Sequence, residues 1–502
     1  MTIGPIQQEN KNRSGYMGRQ MEAPVSDETM TPHLLDWKRR EELAEALIPL
    51  IGTLYRDHAL VVAVLGSSLV GKSVVEIITA HDSARDIVGR PLDLSDTVTM
   101  LTVLLQLGPG RARLDVGKLA LRFADSDTED LTAWARETLA PLASGTNPMP
   151  ASPQDVVLYG FGRIGRLLAR ILISKTGGGD KYRLRAVVLR PSKSANLHRR
   201  ASLLSRDSVH GPFEGSITVD EAGQAIIANG SRIQIITAAS PEDIDYTDYG
   251  IRDAIIIDNT GVLRDHAALS RHLRPGASRV MLTAPGKDIP NVVYGVNHDS
   301  LDPQARIVSA ASCTTNAIVP VLKALDDAYG IVRGHIETIH AYTNDQNLID
   351  NFHKKDRRGR AAAMNMVITS TGAATAAAKA LPQLAGKLTG NAIRVPTPNV
   401  SLAILNLDLS TAPDSADVLN DHLRSLAADS PLEAQIGYSA SPEVVSSDLV
   451  GSHRTGVIDS RSTIAVGKSV VLYVWYDNEY GYSCQVVRLM QAMVGVSPRM
   501  FP

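Results

Sequence analysis

Five short apolar segments between residues 155 and 310 alternate with helical stretches, and each is followed by a turn or loop containing Gly, Pro or Ser. They are DVVLY (155–159), LRAVVL (184–189), AIIID (254–258), RVMLT (279–283) and RIVSA (306–310). Strands that alternate with helices in this way pair in parallel, because each helix carries the chain back to the same edge of the sheet. The sequence therefore predicts an α/β fold with a parallel, doubly wound sheet.

The first of these strands leads directly into a glycine-rich turn with the spacing G-x-G-x-x-G and then into the apolar helix RLLARILI. The turn consists of Gly160, Phe161, Gly162, Arg163, Ile164 and Gly165. The first glycine permits the tight turn, the second lets the backbone approach a pyrophosphate, and the third allows close packing of helix on strand. A turn without a ligand is the alternative, but this context favours a dinucleotide-binding domain of the Rossmann type.

Past residue 312 the strands lengthen and carry more β-branched residues, as in HIETIHAYT and SLAILNLDLS. This pattern is typical of a mixed α/β domain with antiparallel pairing. We therefore assign residues 151–311 to the dinucleotide-binding domain and residues 312–475 to a catalytic domain. The stretch 483–494 predicts a helix folded back onto the first sheet, so residues 476–502 complete the first domain.

Residues 1–150 predict a mostly helical N-terminal extension. Apolar residues recur at three- and four-residue steps in EELAEALIPLIGTLY and in DTEDLTAWARETLAPL, with Ser126 and Asp127 as expected caps of the second helix. Ser95 is the expected cap of a helix running through TMLTVLLQL. The first 30 residues are typical of a flexible tail, and the proline-rich stretch 144–153 predicts a linker.

The segment 66–73 of this extension matches G-x-x-x-x-G-K-[ST] and follows the apolar run LVVAVL. A phosphate cradle of that type needs a parallel sheet behind it, and the surrounding sequence offers no alternating series of strands. We therefore expect an accessory or assembly domain rather than a domain that hydrolyses nucleotides.

The overall composition excludes several functional classes. The net charge is −2 at pH 7, and the basic run 354–360 has no interleaved aromatic residues, so no nucleic-acid partner is expected. No apolar run reaches the length of a membrane span, and no secretory signal is visible. The two cysteines, Cys313 and Cys484, are far apart, which favours a cytoplasmic protein without disulfides. No metal site is predicted.

The strongest chemical signal is the segment SCTTN at 312–316, which lies between the last strand and the apolar helix 317–329. A cysteine at a helix N-terminus gains thiolate character from the helix dipole and the free N–H groups. A pKa lowered by about two units would make most of Cys313 thiolate at pH 7, and His340 in TIHAYTNDQ is the candidate imidazolium partner. Cys484 is assigned the ordinary role of a small buried residue.

Nine segments in order resemble the glyceraldehyde-3-phosphate dehydrogenase family. They are GFGRIGR (160–166), DSVHGPFEG (207–215), TAPGKD (283–288), GVNHD (295–299), SCTTN (312–316), TIHAYTNDQ (338–346), STGAA (370–374), RVPTPNVS (394–401) and WYDNEYGYS (475–483). The resemblance extends from about residue 155 to the end of the chain. It leaves residues 1–150 without a counterpart in the short form of the enzyme.

The resemblance implies a reaction through a cysteine thioester. Cys313 would attack glyceraldehyde 3-phosphate, and His340 would pair with the thiolate and accept the hydroxyl proton during hydride transfer to nicotinamide. Inorganic phosphate would then release an acyl phosphate. The substrate phosphate would contact Thr343, Asp345 and Arg394, and the attacking phosphate would contact Ser312, Thr314, Thr371 and Gly372. Beyond the glycine-rich turn, the cofactor would contact Thr260, Gly261, Thr283 and Asn478, the last at the nicotinamide carboxamide.

Two departures from the family concern the cofactor. The acidic residue that normally binds the adenosine ribose is replaced at the end of the second strand by Arg190, with Lys193 just beyond. An arginine in that place can clamp a ribose 2′-phosphate. In the loop that covers the cofactor, Asn351 and Phe352 replace the usual Leu-Pro pair. The sequence therefore predicts NADP, NAD or both as cofactor.

The resemblance also implies a homotetramer, and two other functions stay open. One is erythrose-4-phosphate dehydrogenase, which shares most of this architecture. The other is a regulatory protein that uses the fold without catalysis. The presence of both phosphate motifs favours the triose enzyme, and the presence of Cys313, His340 and Arg394 favours catalysis.

Overall fold

The computed structural model describes residues 27–85, 92–143, 152–176, 181–191, 196–497 and 499–501. These residues form five hydrophobic cores, of which one fills the N-terminal region, three lie in the dinucleotide-binding domain and one lies in the catalytic domain. The predicted tail, apart from its last four residues, and most of the predicted linker lie outside the described ranges.

In the described residues of the N-terminal region, helices pack around short strands. The helices are α1 (Asp27–His58), α2 (Val74–Asp82), α3 (Leu94–Leu107), α4 (Val116–Ala124) and α5 (Leu131–Leu139), and the strands are β1 (Val61–Val64), β2 (Ser67–Ser68) and β3 (Ala112–Asp115). Leu47 and Leu54 of α1 are fully buried in its core, together with Val62 of β1. The predominance of helix agrees with the prediction from sequence.

The predicted helix caps in this region were wrong. The cap of α3 is Asp93, whose carboxylate accepts hydrogen bonds from the backbone N–H and the hydroxyl of Ser95. Helix α5 begins after Asp130, whose carboxylate accepts the N–H of Ala133, so Ser126 and Asp127 lie outside it. In both places the aspartate directly before the first turn reaches the free N–H groups that the predicted residue would have capped.

The dinucleotide-binding domain holds an eight-stranded sheet in the order β13-β12-β11-β4-β5-β10-β9-β8. Its elements are β4 (Gln154–Tyr159), α6 (Arg163–Lys175), β5 (Tyr182–Leu189), α7 (Leu197–Ser205), β6 (Arg206–Asp207), β7 (Gly211–Pro212), β8 (Ile217–Asp220), β9 (Ala225–Ala228), β10 (Ser231–Thr237), β11 (Ala254–Asp258), α8 (His266–Ser270), β12 (Ala277–Leu282) and β13 (Ile307–Ser309). Six strands are parallel, and β9 and β8 add antiparallel pairs at one edge. All five predicted strands are confirmed, each within two residues at either end.

The catalytic domain is built on a mixed sheet in the order β15-β16-β14-β17-β21-β19-β18, with β20 paired to β21. Its elements are α9 (Cys313–Tyr329), β14 (Ile331–Ala341), β15 (Val367–Thr369), α10 (Ala373–Ala380), β16 (Leu388–Val395), β17 (Ser401–Leu409), α11 (Ala416–Ala428), β18 (Ile436–Ser439), β19 (Gly456–Asp459), β20 (Ile464–Val466) and β21 (Ser469–Tyr476). The long pairs β14–β17 and β17–β21 are antiparallel, as predicted. After β21 the chain forms α12 (Tyr480–Met493), which returns to the first sheet and packs on α6.

The last described strand is β22 (Arg499–Phe501), and it does not lie in the domain to which the sequence assigned it. It pairs in parallel with β3 of the N-terminal region, whereas the prediction from sequence grouped residues 476–502 with the dinucleotide-binding domain. Together with the parallel pair β1–β3 it forms a four-stranded sheet in the order β2-β1-β3-β22. The expectation that no parallel sheet stands behind the segment 66–73 was therefore wrong, because strands of at most four residues leave no readable alternation.

Candidate active site

A cleft of about 990 Å³ lies between the carboxyl ends of the parallel strands and the catalytic domain. This is the edge at which doubly wound sheets bind their ligands. The predicted site residues that line the cleft are Gly162, Arg163, Ile164, Thr260, Thr283, Ser312, Cys313, His340, Thr343, Arg394 and Asn478. Arg264 also lines the cleft, and nothing in its sequence surroundings indicated this.

The three glycines of the turn differ in the space around them. Gly160 has φ +98°, in the left-handed region that favours glycine. A Cβ on Gly165 would lie 2.5 Å from the carbonyl oxygen of Gly160, so helix α6 could not pack as closely on β4. A Cβ on Gly162 would meet no atom within 4 Å, since this backbone faces the open cleft. Phe161 is buried in the core.

Arg163 lines the cleft, but its guanidinium is bound by two carboxylates. It donates to Glu479 just before α12 and forms an ion pair with Asp207 at 3.4 Å. These contacts raise the pKa of Arg163, with Glu479 as the main cause. The side chain therefore ties the glycine-rich turn to the start of α12.

Cys313 is the first residue of α9, and Ser312 caps the helix by accepting the N–H of Thr315 at 3.0 Å. The Sγ atom lies 3.7 Å from Nε2 of His340, which β14 presents near its carboxyl end. The predicted nucleophile and base are therefore in contact. Cys484 is 1% exposed in α12 and belongs to a core of the dinucleotide-binding domain.

Arg394 on β16 controls the protonation of this pair. Its Nη1 lies 2.9 Å from Nδ1 of His340 and also donates to the carbonyl oxygen of Ala341, and Nδ1 lies 2.7 Å from that same oxygen. Burial, followed by the Arg394 cation, lowers the pKa of His340 to about 3. Burial raises the pKa of the Cys313 thiol, although Arg394 opposes the shift.

The expected thiolate–imidazolium pair is therefore not the form that this arrangement favours. A guanidinium beside Nδ1 repels a second proton on the imidazole, and the low polarity of the site opposes both charges. With Arg394 in this position the thiol and the imidazole are neutral at pH 7. The helix N-terminus alone does not overcome the burial of the thiol.

The residues predicted for the two phosphates are only partly brought together. Ser312, Thr343 and Arg394 line the cleft, whereas Thr314, Asp345, Thr371 and Gly372 do not. The hydroxyl of Thr314 instead hydrogen-bonds Tyr476 at 3.0 Å. Thr371 accepts the N–H of Ala373, and Gly372 precedes α10 with open space around it.

Asp345 accepts a hydrogen bond from Arg358, which also donates to the hydroxyl of Thr369. Arg358 belongs to the basic run 354–360, yet it is only 8% exposed. Its cation helps to hold the pKa of Asp345 below its usual value, although burial raises it. The carboxylate is thus engaged within the protein, and Arg358 is a cation near the cleft that the sequence did not single out.

The remaining cofactor candidates sit at strand ends. Thr260 donates its hydroxyl to Asp258 at 2.7 Å, Gly261 has φ +62°, and Thr283 donates to the carbonyl oxygen of Asp258. The side-chain oxygen of Asn478 accepts from Ser401 at 2.8 Å, which fixes its amide at the wall of the cleft. Arg190 is exposed directly after β5, outside the cleft wall.

The comparison with known families is decisive. Residues 154–266 match the NAD binding domain of glyceraldehyde 3-phosphate dehydrogenase, and residues 312–478 match the C-terminal domain of the same enzyme. The chain belongs to the glyceraldehyde-3-phosphate dehydrogenase family. Its cofactor class is accordingly NAD or NADP, and its chemistry is that of an oxidoreductase.

The relatives differ in how much of the chain they match. The glyceraldehyde-3-phosphate dehydrogenase of Zymomonas mobilis is 39% identical over 338 residues, which is 66% of this chain and 96% of its own. Glyceraldehyde-3-phosphate dehydrogenase 1 of Bacillus subtilis is 40% identical over the same shares. A glyceraldehyde-3-phosphate dehydrogenase-like protein of Pseudomonas aeruginosa is 56% identical over 461 residues, 91% of this chain and all of its own. That longer match reaches into the N-terminal region.

Neither a membrane span nor a metal cluster is found in the described ranges. No described helix is long and apolar enough to cross a bilayer. No group of three or more His, Cys, Asp or Glu side chains in the same ranges could hold a metal ion.

Proposed function

We propose that this protein oxidises glyceraldehyde 3-phosphate with NAD or NADP and inorganic phosphate, and forms 1,3-bisphosphoglycerate. The observation that carries the proposal is the contact of Cys313 Sγ with His340 Nε2 at 3.7 Å, in a cleft shared with the glycine-rich turn. The family to which the chain belongs supports the same reaction.

The proposed reaction begins at the Cys313 sulfur, which bonds to the aldehyde carbon and gives a hemithioacetal. The bound nicotinamide ring, when present, supplies the acceptor for the hydride. His340 takes the hydroxyl proton on Nε2 as the hydride leaves, and a thioester results. Phosphate oxygen then attacks the thioester carbon, the carbon–sulfur bond breaks and the acyl phosphate departs. The leaving Cys313 sulfur takes back the proton from Nε2 of His340, which regenerates the neutral pair.

Arg394 makes the proposed proton transfer to His340 depend on a bound anion. While its guanidinium faces Nδ1, His340 cannot hold a second proton. A phosphate that draws the guanidinium away lets Nδ1 donate to the carbonyl oxygen of Ala341, 2.7 Å distant. His340 can then become the imidazolium, so we propose that anion binding and proton transfer are coupled through Arg394.

Replacement of Arg394 by glutamine is expected to shift Cys313 alkylation to higher pH. The cation lowers the pKa of the Cys313 thiol, so its removal leaves less thiolate at any given pH. The rate of iodoacetamide labelling from pH 6 to 10, followed by mass spectrometry without added ligands, measures the shift. Arg360→Gln is the control, because that exposed arginine pairs with Asp350. An unchanged profile in Arg394→Gln would refute the electrostatic effect of Arg394 on the thiol.

Two alanine substitutions in the glycine-rich turn are expected to differ in effect. Gly165→Ala should lower stability, and Gly162→Ala should lower cofactor affinity. Gly165→Ala overpacks the contact with Gly160 and should lower the free energy of unfolding by about 1–3 kcal/mol. Gly162→Ala meets open space, so its Tm should stay near that of the wild type, while cofactor affinity falls roughly tenfold or more as the methyl group blocks the pyrophosphate. Calorimetric titration with NAD and NADP, beside thermal melts, gives both quantities. Tight cofactor binding by Gly162→Ala would contradict this place for the pyrophosphate.

The substrate is tested by parallel assays of acyl-phosphate formation. Glyceraldehyde 3-phosphate is expected to give a higher kcat/KM than erythrose 4-phosphate, with either cofactor. The reverse order would assign the enzyme to the four-carbon aldehyde, and no acyl phosphate from either would favour a regulatory protein. Assembly as a homotetramer and a cytoplasmic location stay predictions.

A further inference from the structure

A second cavity, of about 440 Å³, lies where the N-terminal region meets α6, α12 and the loop before β19. Its lining is strongly basic. Five cationic side chains and one carboxylate face it, namely Lys72, Arg113, Lys175, Arg454, Arg488 and Glu433. The one carboxylate is also bound by Lys118, so it offsets only part of the charge of Arg113 and Arg454.

The cations act on one another. The surrounding protein atoms, together with Arg488 and Arg113, lower the pKa of Lys175 to about 8, although the side chain keeps an exposed surface and Cys484 opposes the shift. Burial and Arg488 likewise contribute to lowering the pKa of Arg454 to about 10. Such shifts mark positive charges that lie close together.

The hydrogen bonds of these arginines go to neutral acceptors, so the carboxylates Glu433 and Asp115 offset their charge only in part. Arg113 and Arg454 donate to the carbonyl oxygens of Gly66 and Leu65, and Arg488 donates to that of His453. All three acceptors are neutral. The exposed Lys175 donates to no residue in the described ranges. Nε2 of His453 is buried there without a partner. Clustered charges of one sign are costly unless an opposite charge joins them.

The phosphate-loop-like segment forms one wall of the cavity but is not itself a cradle. The backbone N–H groups of Leu65 and Gly66 donate to Asp115 at 2.8 and 2.6 Å. Lys72 and the N–H of Ser73 are held by Glu76 at 2.6 and 2.9 Å. The groups that would bind a phosphate in such a loop are therefore occupied by carboxylates of the protein.

We propose that this cavity binds a small polyanion that carries two or more phosphoryl groups. The arginines would grip it with paired N–H donors, which match phosphate oxygens, and Lys175 would add a point charge. The cavity volume lies within the range of ordinary small-molecule sites. Nucleoside polyphosphates, sugar bisphosphates and inorganic polyphosphate share this chemistry.

Helix α12 connects this cavity to the candidate active site. Arg488 belongs to α12, and Tyr482 of the same helix donates its hydroxyl to the carbonyl oxygen of Ala311, two residues before Cys313. The Sγ of Cys313 lies in a separate cleft with no lining residue in common. The ligand of the basic cavity is therefore an effector rather than a substrate.

Calorimetric titration of the full chain with inorganic tripolyphosphate, at low salt and with saturating NAD, tests the proposal. All variants carry Arg394→Gln, so that the phosphate sites of the active-site cleft are weakened. Lys175→Gln and Arg488→Gln should each lower the affinity by about ten- to hundredfold, because each removes a charge-assisted contact. Lys72→Ala should change it by less than about threefold, since Glu76 holds that lysine. Arg424→Gln, at an exposed pair, is the charge-matched control.

Several results would overturn the proposal. They are an absence of tripolyphosphate binding, an affinity unaffected by Lys175→Gln and Arg488→Gln, and an affinity for inorganic phosphate equal to that for tripolyphosphate. Loss of binding in Lys72→Ala alone would assign the site to the loop instead.

Thermal melts exclude misfolding: without ligand, Lys175→Gln should melt no lower than its parent, because it relieves repulsion. Titrations with ATP and fructose 1,6-bisphosphate then identify which source of phosphoryl groups binds most tightly. No turnover is measured, so failure of the proposed dehydrogenase reaction would leave this test intact.

Discussion

Replacement of Cys313 by serine is expected to reduce acyl-phosphate formation by roughly four orders of magnitude or more. Serine is nearly isosteric, so the start of α9 and its Ser312 cap should persist. A hydroxyl ionises far less readily than a thiol, and neutral His340 at 3.7 Å is too weak a base to compensate. The thioester cannot form at a useful rate, while cofactor affinity should stay near that of the wild type. Stopped assays and calorimetric cofactor titration measure the two quantities.

Cys484→Ser is the matched control for this experiment. The second thiol is buried in α12 in a core of the dinucleotide-binding domain, away from the cleft, so its replacement should leave kcat within about twofold of the wild type. Its Tm will show any cost of burying a hydroxyl there. If Cys313→Ser retained turnover while Cys484→Ser lost it, the assignment of the nucleophile would be wrong.

NADP is expected to serve at least as well as NAD, and Arg190→Asp is expected to reverse this preference. Arg190 is exposed directly after β5, where an acidic residue would normally accept the ribose hydroxyls. A partly exposed arginine–phosphate contact is worth roughly ten- to hundredfold in affinity, and an aspartate adds repulsion of the 2′-phosphate. The ratio of kcat/KM for the two cofactors at low salt measures the effect, and added salt should reduce the NADP advantage first.

Arg306→Asp is the control for this charge reversal. Arg306 precedes β13 at the opposite, amino-terminal edge of the same sheet and donates to the carbonyl oxygen of Ser278. The same change of charge there should leave the cofactor ratio unaltered. A wild-type enzyme that rejects NADP would show that Arg190 does not contact the ribose.

Local patterns in the sequence determined most of the second and third domains. The strands of the parallel sheet, the glycine-rich turn and the strand that carries His340 depend on neighbours within a few residues, and alternation or spacing reveals them. The tight turn at Gly160 and the close approach of α6 at Gly165 follow from the same spacing. The nearness of Cys313 and His340, however, came from the family resemblance rather than from periodicity.

Contacts between distant segments were decided only by the tertiary structure. The N-terminal sheet joins β3 to β22 across almost the whole chain, and strands of three or four residues have no signature of their own. Arg394 changes the protonation of His340 because β16 runs parallel to β14 and sets the two residues side by side. The basic cavity gathers Lys72, Lys175 and Arg488 from three parts of the chain. Electrostatic energy depends on distance in space and on burial, and a linear sequence determines neither of them before the chain has folded.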